Sequence, residues 1–145
     1  MIPEVEKPLF IVEHLWAVPG GTEVVVRLTQ PVLRRTSALP GIAEKVLGRL
    51  PGIVRHRCES PKGLGVAGEL ADTESAHLLE HVALELLVCE GHPRAMAGRT
   101  TWDFGRDGQG VYRVYLGCED VEAVRSALQE ACVLIEQLTV ERGRC

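Results

Sequence analysis

The sequence predicts an α+β domain: a mostly antiparallel sheet with about three helices packed on one face. Three observations carry that expectation. Leu9–Trp16 and Thr22–Leu28 are apolar, β-branched stretches on either side of Pro19-Gly20-Gly21, which is how a hairpin is written. Gly110–Leu116 alternates apolar and polar residues, the period of a strand with one buried face. Three further stretches carry helical spacing, and they fall among the strands without a regular β-α-β rhythm.

Met1–Pro8 holds two prolines among polar residues and reads as a flexible lead. Leu9–Trp16 and Thr22–Leu28 form the hairpin. Gln30–Ser37, with Pro31 and the pair Arg34-Arg35, reads as a loop with solvated arginines. Leu39-Pro40-Gly41 opens a helix whose apolar residues are Ile42, Val46, Leu47 and Leu50, and Pro51-Gly52 stops it. Ile53–Cys58 reads as a short strand and Glu59–Gly68 as a loop. A long helix spans Thr73–Cys89, with Asp72 or Thr73 as its N-cap. Its strongly apolar run from Val82 to Val88 predicts half burial against the sheet. Gly91 and Pro93 end it. Ala95–Arg99 begins a strand, and Trp102–Gln109 reads as a hairpin loop. After Gly110–Leu116, Asp120 caps a last helix, Val121–Val140, with Val124, Leu128, Ala131, Cys132, Ile135 and Leu138 on one side.

Composition narrows the function. The 145 residues suit a single domain, 46% of them apolar and 25% charged, which is ordinary for a globular protein. A net charge of −4 gives no footing for a nucleic-acid partner. No apolar run is long enough for a membrane span, and no basic-then-apolar start suggests a signal peptide. The five cysteines, at 58, 89, 118, 132 and 145, are odd in number and without pattern. Cys89 and Cys132 fall at apolar helix positions and read as small core residues. A reducing, cytoplasmic compartment is expected.

The chemistry concentrates in His77-Leu78-Leu79-Glu80-His81. Two imidazoles at i and i+4 on a helix share one face, where they can grip one metal ion. Glu80, one position before the second histidine, is placed to hold or deprotonate a water. This order, H-x-x-E-H, is the inverted zincin motif. The plainer alternative is a helix edge whose polar groups find ordinary hydrogen bonds.

Several stretches together resemble the N-terminal domain of cyanophycin synthetases. Val24–Leu28 is similar to an early strand of that domain. Leu50-Pro51-Gly52-Ile53-Val54-Arg55-His56-Arg57-Cys58 resembles the family's L-P-x-L-x-x-H-x-C. His77–Leu86 resembles its H-x-x-E-H-V-A-L-E-L almost letter for letter, and this match is the specific one. Gly98-Arg99-Thr100 and Gly110–Val114 resemble its G-R-T-R and G-x-Y-x-V. The likeness runs in order from about Val24 to Leu138.

The resemblance implies a domain associated with holding a polymer of aspartate with arginine side groups, and in some members a zinc metallopeptidase. The synthetase's ATP-grasp and Mur-ligase-like domains do not fit here, so polymer synthesis is not expected. His77 and His81 would then bind zinc, and Glu80 would be the general base. Glu85, one turn beyond, would orient His81 rather than bind metal. The third ligand is left open among Glu130, Glu136, Glu141 and His56. Arg99 would grip a substrate carboxylate; the bland reading is a surface ion pair. Gly117 and Thr101 depart from the family pattern, which has Glu and Arg there. His14 and His92 are expected to be exposed, and Trp16 and Trp102 to pack, with lining a pocket as the alternative for Trp102 in its loop. Two functions follow as expectations. One is a zinc-dependent hydrolase of cyanophycin or another peptide. The other is a non-catalytic polymer- or protein-binding module, working as a homodimer or with a separate synthetase.

Overall fold

The computed structural model describes residues 8–56 and 65–140. The two stretches flanking Pro19-Gly20-Gly21 form β1 (Phe10–Val18) and β2 (Gly21–Leu28), paired antiparallel from Phe10–Leu28 to Val18–Gly21. The turn needs its glycines. Gly20 has φ +83, and a Cβ on Gly21 would run into the Leu116 carbonyl oxygen and the Tyr115 ring. β3 (Gly98–Trp102) and β4 (Val111–Leu116) complete one four-stranded antiparallel sheet in the order β1-β2-β4-β3.

Period-two alternation decides which face the sheet buries. Val24, Val26 and Leu28 point the same way as Tyr112, Val114 and Leu116, and all six are buried. Against them pack α3 (Ser75–Cys89) and α5 (Val121–Val140). Val124, Leu128, Ala131, Ile135 and Leu138 of α5 are the buried stripe the spacing predicts. The shorter α1 (Ile42–Arg49) packs on α5 through this cluster. The α+β expectation, with helices on one face of an antiparallel sheet, therefore stands.

Four local expectations fail. Ile53–Cys58 is not a strand: Pro51–Arg55 is a 3-10 helix, and residues 57 and 58 lie outside the described ones. Pro51 pre-sets φ at its first turn, and only Ile53 of its side chains is buried. Of the predicted loop over 59–68, residues 59–64 lie outside the described ones, and the rest belongs to α2 (Gly65–Leu70), which buries Val66 and Leu70. Trp102–Gln109 is not simply a loop, because Trp102 ends β3 and Phe104–Asp107 forms α4, capped by Asp103 accepting from the Arg106 N–H. Cys89 is exposed where the last turn of α3 leaves the core, whereas Cys132 is buried and its thiol is pushed up to about 12 by burial. The flexible lead concerns residues 1–7, which lie outside the described ones.

α3 is buried well beyond half. Residues 75–87 are buried except His77, because α5 and the sheet enclose the helix together. Its start is also not capped as predicted. Glu74 occupies the N-cap position with no side-chain bond to its own helix. Its carboxylate instead accepts from the Tyr112 hydroxyl at 2.6 Å, Arg34 Nε at 2.6 Å and Arg35 Nη1 at 3.1 Å. The Arg34-Arg35 pair is thus a structural clamp rather than a solvated pair. Arg35 also holds Asp72.

Candidate metal centre

Helical geometry brings the motif together as its spacing implies. Ligand atoms of His77, Glu80 and His81 all lie within 4.8 Å of one another. The two Nε2 atoms are 3.0 Å apart, and His81 Nε2 is 4.0 Å from Glu80 Oε2. Two zinc–nitrogen bonds of 2.0–2.1 Å at a tetrahedral angle require about 3.3 Å between nitrogens. Imidazole nitrogens are donors that zinc takes, and the adjacent Glu80 carboxylate is placed to act on a water at the ion. The residues present therefore fit a zinc ion.

Burial sets their protonation. It lowers His77, and it lowers His81 to about 3, helped by the neighbouring His77 and His56. Both imidazoles are held neutral, the form that binds metal. Burial raises Glu80 to about 7, although the Thr100 hydroxyl donates to it at 2.7 Å and Arg99 attracts its charge. A carboxylate near 7 suits proton transfer at neutral pH.

A hydrogen-bonded relay runs away from the motif. His81 Nδ1 meets His56 Nδ1 at 2.8 Å, and His56 Nε2 meets Glu85 Oε1 at 2.9 Å. Arg94 holds both Glu85 oxygens, at 2.8 and 3.1 Å, and donates to the Gly52 carbonyl. Burial would raise Glu85, but the bonds from Arg94 and His56 outweigh it and hold the carboxyl below its ordinary value. The tautomers follow: His56 donates Nε2–H to Glu85 and accepts from His81 Nδ1–H, leaving His81 Nε2 with its lone pair on the motif side. Glu85 thus reaches His81 through His56 rather than by touching it. Removing the link, by His56→Ala, is expected to weaken zinc affinity about 10–100-fold in a chelator competition titration, with the protein still folded. An unchanged affinity would mean that the relay does not orient His81.

Of the third-ligand candidates, none joins the cluster among the described residues. His56 faces the far nitrogen of His81. Glu136 accepts from the Leu9 N–H, Glu130 is exposed on α5, and residue 141 lies outside the described ones. Sequence reasoning missed Thr73, whose hydroxyl meets His77 Nδ1 at 3.0 Å, as well as Thr100 and Arg94. It also missed Glu69 of α2, which lines the cleft and whose charge reaches His77. Only Thr73 carried a signal, standing four residues before His77 in the stretch predicted as helix, although α3 itself starts at Ser75.

The motif floors a cleft of about 1020 Å³. One wall is Ala95–Thr100 with Trp102; the other includes Arg55, His56 and Glu69. Arg99 lines it with a 63% exposed side chain, 3.8 Å from Glu23 and over the Tyr115 ring. For Trp102 the alternative holds: it lines the cleft, 43% exposed, with Arg34 5.8 Å over its ring. Trp16, expected to pack, is exposed. His14 is exposed as expected, while His92 is half-buried with Nδ1 3.7 Å from Cys118 Sγ. β3 comes this close to α3 because Gly98 has no side chain. A Cβ there would stand 2.6 Å from both Glu80 Oε2 and Leu84 Cδ1. Gly98→Ala is expected to cost about 1–3 kcal/mol in urea unfolding, as overpacking does; no loss would show that the strand can step back freely.

Fold and site together define a small α+β domain carrying an inverted-zincin type of candidate metal centre on a buried helix. Residues 23–140 match the family model of the cyanophycin synthase-like N-terminal domain, and the chain belongs to that family. It is 30% identical over 132 residues to a cyanophycin synthetase of Synechocystis sp., covering 86% of this chain. It is 31% identical over 138 residues, or 90% of this chain, to the cyanophycin synthetases of Trichormus variabilis and Nostoc sp.. The chain spans 14% of the length of each of these relatives. Among the described residues no helix is long and apolar enough to cross a membrane.

Proposed function

We propose that this chain is a zinc-dependent hydrolase of cyanophycin or a related peptide, with His77 and His81 holding the metal and Glu80 as general base. The observation that carries the reading is the convergence of His77, Glu80 and His81 at the floor of an open cleft. Bound zinc would polarise the scissile carbonyl and make water nucleophilic near neutral pH. The chain's own residues supply the rest. His56, fixed by Glu85 and Arg94, orients His81. Glu80 accepts the proton of the attacking water and returns it to the leaving nitrogen, and Thr100 keeps the carboxylate turned toward the cleft. Arg55, exposed and on the cleft, offers a cation to substrate carboxylates, and Arg99 stands at the rim, its guanidinium held over the Tyr115 ring near Glu23.

A second reading has a specific observation in its favour. The chain matches only 14% of each synthetase relative, so it corresponds to one part of a larger machine. A polymer-holding module, alone, paired with itself or beside a separate synthetase, would need the cleft but no turnover. Zinc content of the purified protein, together with release of new amino groups from cyanophycin, separates the two. About one zinc per chain, lost in His77→Ala, with zinc-dependent release supports the hydrolase. Absence of metal and of release in the folded protein leaves the module.

A further inference from the structure

In the order β1-β2-β4-β3, strand β3 has a neighbour on one side only among the described residues, and its other side forms a wall of the cleft. The Gly117 N–H donates to the Ala97 carbonyl at 2.7 Å, which sets the phase of the β3–β4 ladder. In an antiparallel pair the bonded residues recur every second position. Arg99, opposite Tyr115, and Thr101, opposite Arg113, therefore turn their backbone groups to β4. Gly98, Thr100 and Trp102 turn theirs to the cleft. Among the described residues these outward N–H and C=O groups have no hydrogen-bond partner. They are also reachable: Gly98 and Trp102 are exposed and Thr100 is half-exposed.

Unpaired strand edges invite another strand, and folds usually blunt them with charge, bulges or cover. The opposite edge is blunted in this way. β1 carries a bulge between Val12 and His14 and exposes Glu13 and His14. The β3 ladder has no bulge, and its one charged residue, Arg99, is among those whose backbone groups turn to β4. It runs directly past the reactive carboxylate, since Thr100 donates to Glu80 and Gly98 lies against Glu80 Oε2.

From this edge, we infer that β3 binds substrate as an added strand: an extended α-peptide backbone pairs with Gly98, Thr100 and Trp102 and lays one of its bonds over Glu80. The inference deepens the hydrolase reading and rests on it for the cleavage, though not for the binding. Five strand residues at about 3.4 Å each make a wall for four or five residues of peptide. Main-chain pairing supplies affinity whatever the sequence, and the arginines and Trp102 along the cleft select side groups. The ligand class is therefore a chain with free backbone amides, not an isolated side-chain linkage.

Amide hydrogen exchange of the full chain, followed residue by residue by NMR, tests this. The probes are cyanophycin and a peptic digest of casein, added to Glu80→Gln protein and to chelator-treated wild type so that neither is consumed. Either probe should slow exchange at Gly98, Thr100 and Trp102 at least tenfold and leave Arg99 and Thr101 unchanged. Trp102→Pro, which removes one outward donor without touching the β4 ladder, should bind the probe three- to tenfold more weakly than Trp102→Thr, the loss expected for one hydrogen bond. The inference is overturned if neither probe slows those three amides, or if slowing ignores the alternation. Zinc-dependent cleavage without edge protection would remove this inference and keep the hydrolase. Alternating protection without any cleavage would keep the edge as a binding site and remove the hydrolase.

Discussion

Glu80→Gln should lower peptide hydrolysis about 10²–10⁴-fold while zinc affinity stays within a factor of a few, because the substitution removes the proton acceptor and leaves both imidazoles in place. The same variant carries an independent signature in stability. Burial holds the Glu80 carboxyl at about 7 instead of the ordinary 4.5, so the fold disfavours its charged form. The sign follows from linkage. A carboxyl with a raised folded value lets the folded state bind more protons than the unfolded one between pH 4.5 and about 7. Stability present below pH 4.5 is lost as pH rises through about 7. The displacement corresponds to roughly 3 kcal/mol at most. In the presence of a chelator, Glu80→Gln should therefore be the more stable protein at pH 8, with the difference closing at pH 4.5. Urea unfolding at the two pH values checks it. Equal stability at pH 8 would mean that Glu80 is not strained in the metal-free fold, and with it would go the account of a carboxylate tuned by burial.

The second large effect is structural. Glu74→Ala should destabilise the domain by about 3–5 kcal/mol, the usual cost of breaking a buried ion pair from one side. The figure belongs near the lower end, since Arg34 and Arg35 are 40% and 47% exposed and regain water. Tyr112 does not. Its ring is fully buried and its hydroxyl loses its acceptor. Burial would raise Glu74, but the bonds from Tyr112, Arg34 and Arg35 outweigh it and hold the carboxyl below its ordinary 4.5. Its contribution is thus present above that value and disappears as pH falls through the lower folded one. Wild type and Glu74→Ala should converge in stability in acid and diverge at neutral pH. A loss below 1 kcal/mol at pH 7 would show that the clamp is ornamental. Because Glu74 sits three residues before His77, the variant should also loosen the start of the motif helix.

What the chain determines by itself is what depends on local period and local turn chemistry. The hairpin around Gly20-Gly21, the alternation of β4, the apolar stripe of α5 and the pairing of His77 with His81 all follow from residues a few positions apart. A helix places i and i+4 on one face whatever surrounds it. Tertiary structure alone decided the rest. His56 lies 25 residues from His81, and the distance is closed by a 3-10 helix that the sequence pattern suggested was a strand. Arg34 and Arg35, in what reads as a loop, close on Glu74 across about 40 residues, and no periodicity couples such positions. The enclosure of α3 came from two neighbours, the sheet and α5, whose joint burial no single helix can announce. That enclosure is also what moves Glu80 and His81 from ordinary side chains to a buried acid and a neutral ligand. Desolvation depends on the whole surroundings of a group and not on its nearest letters.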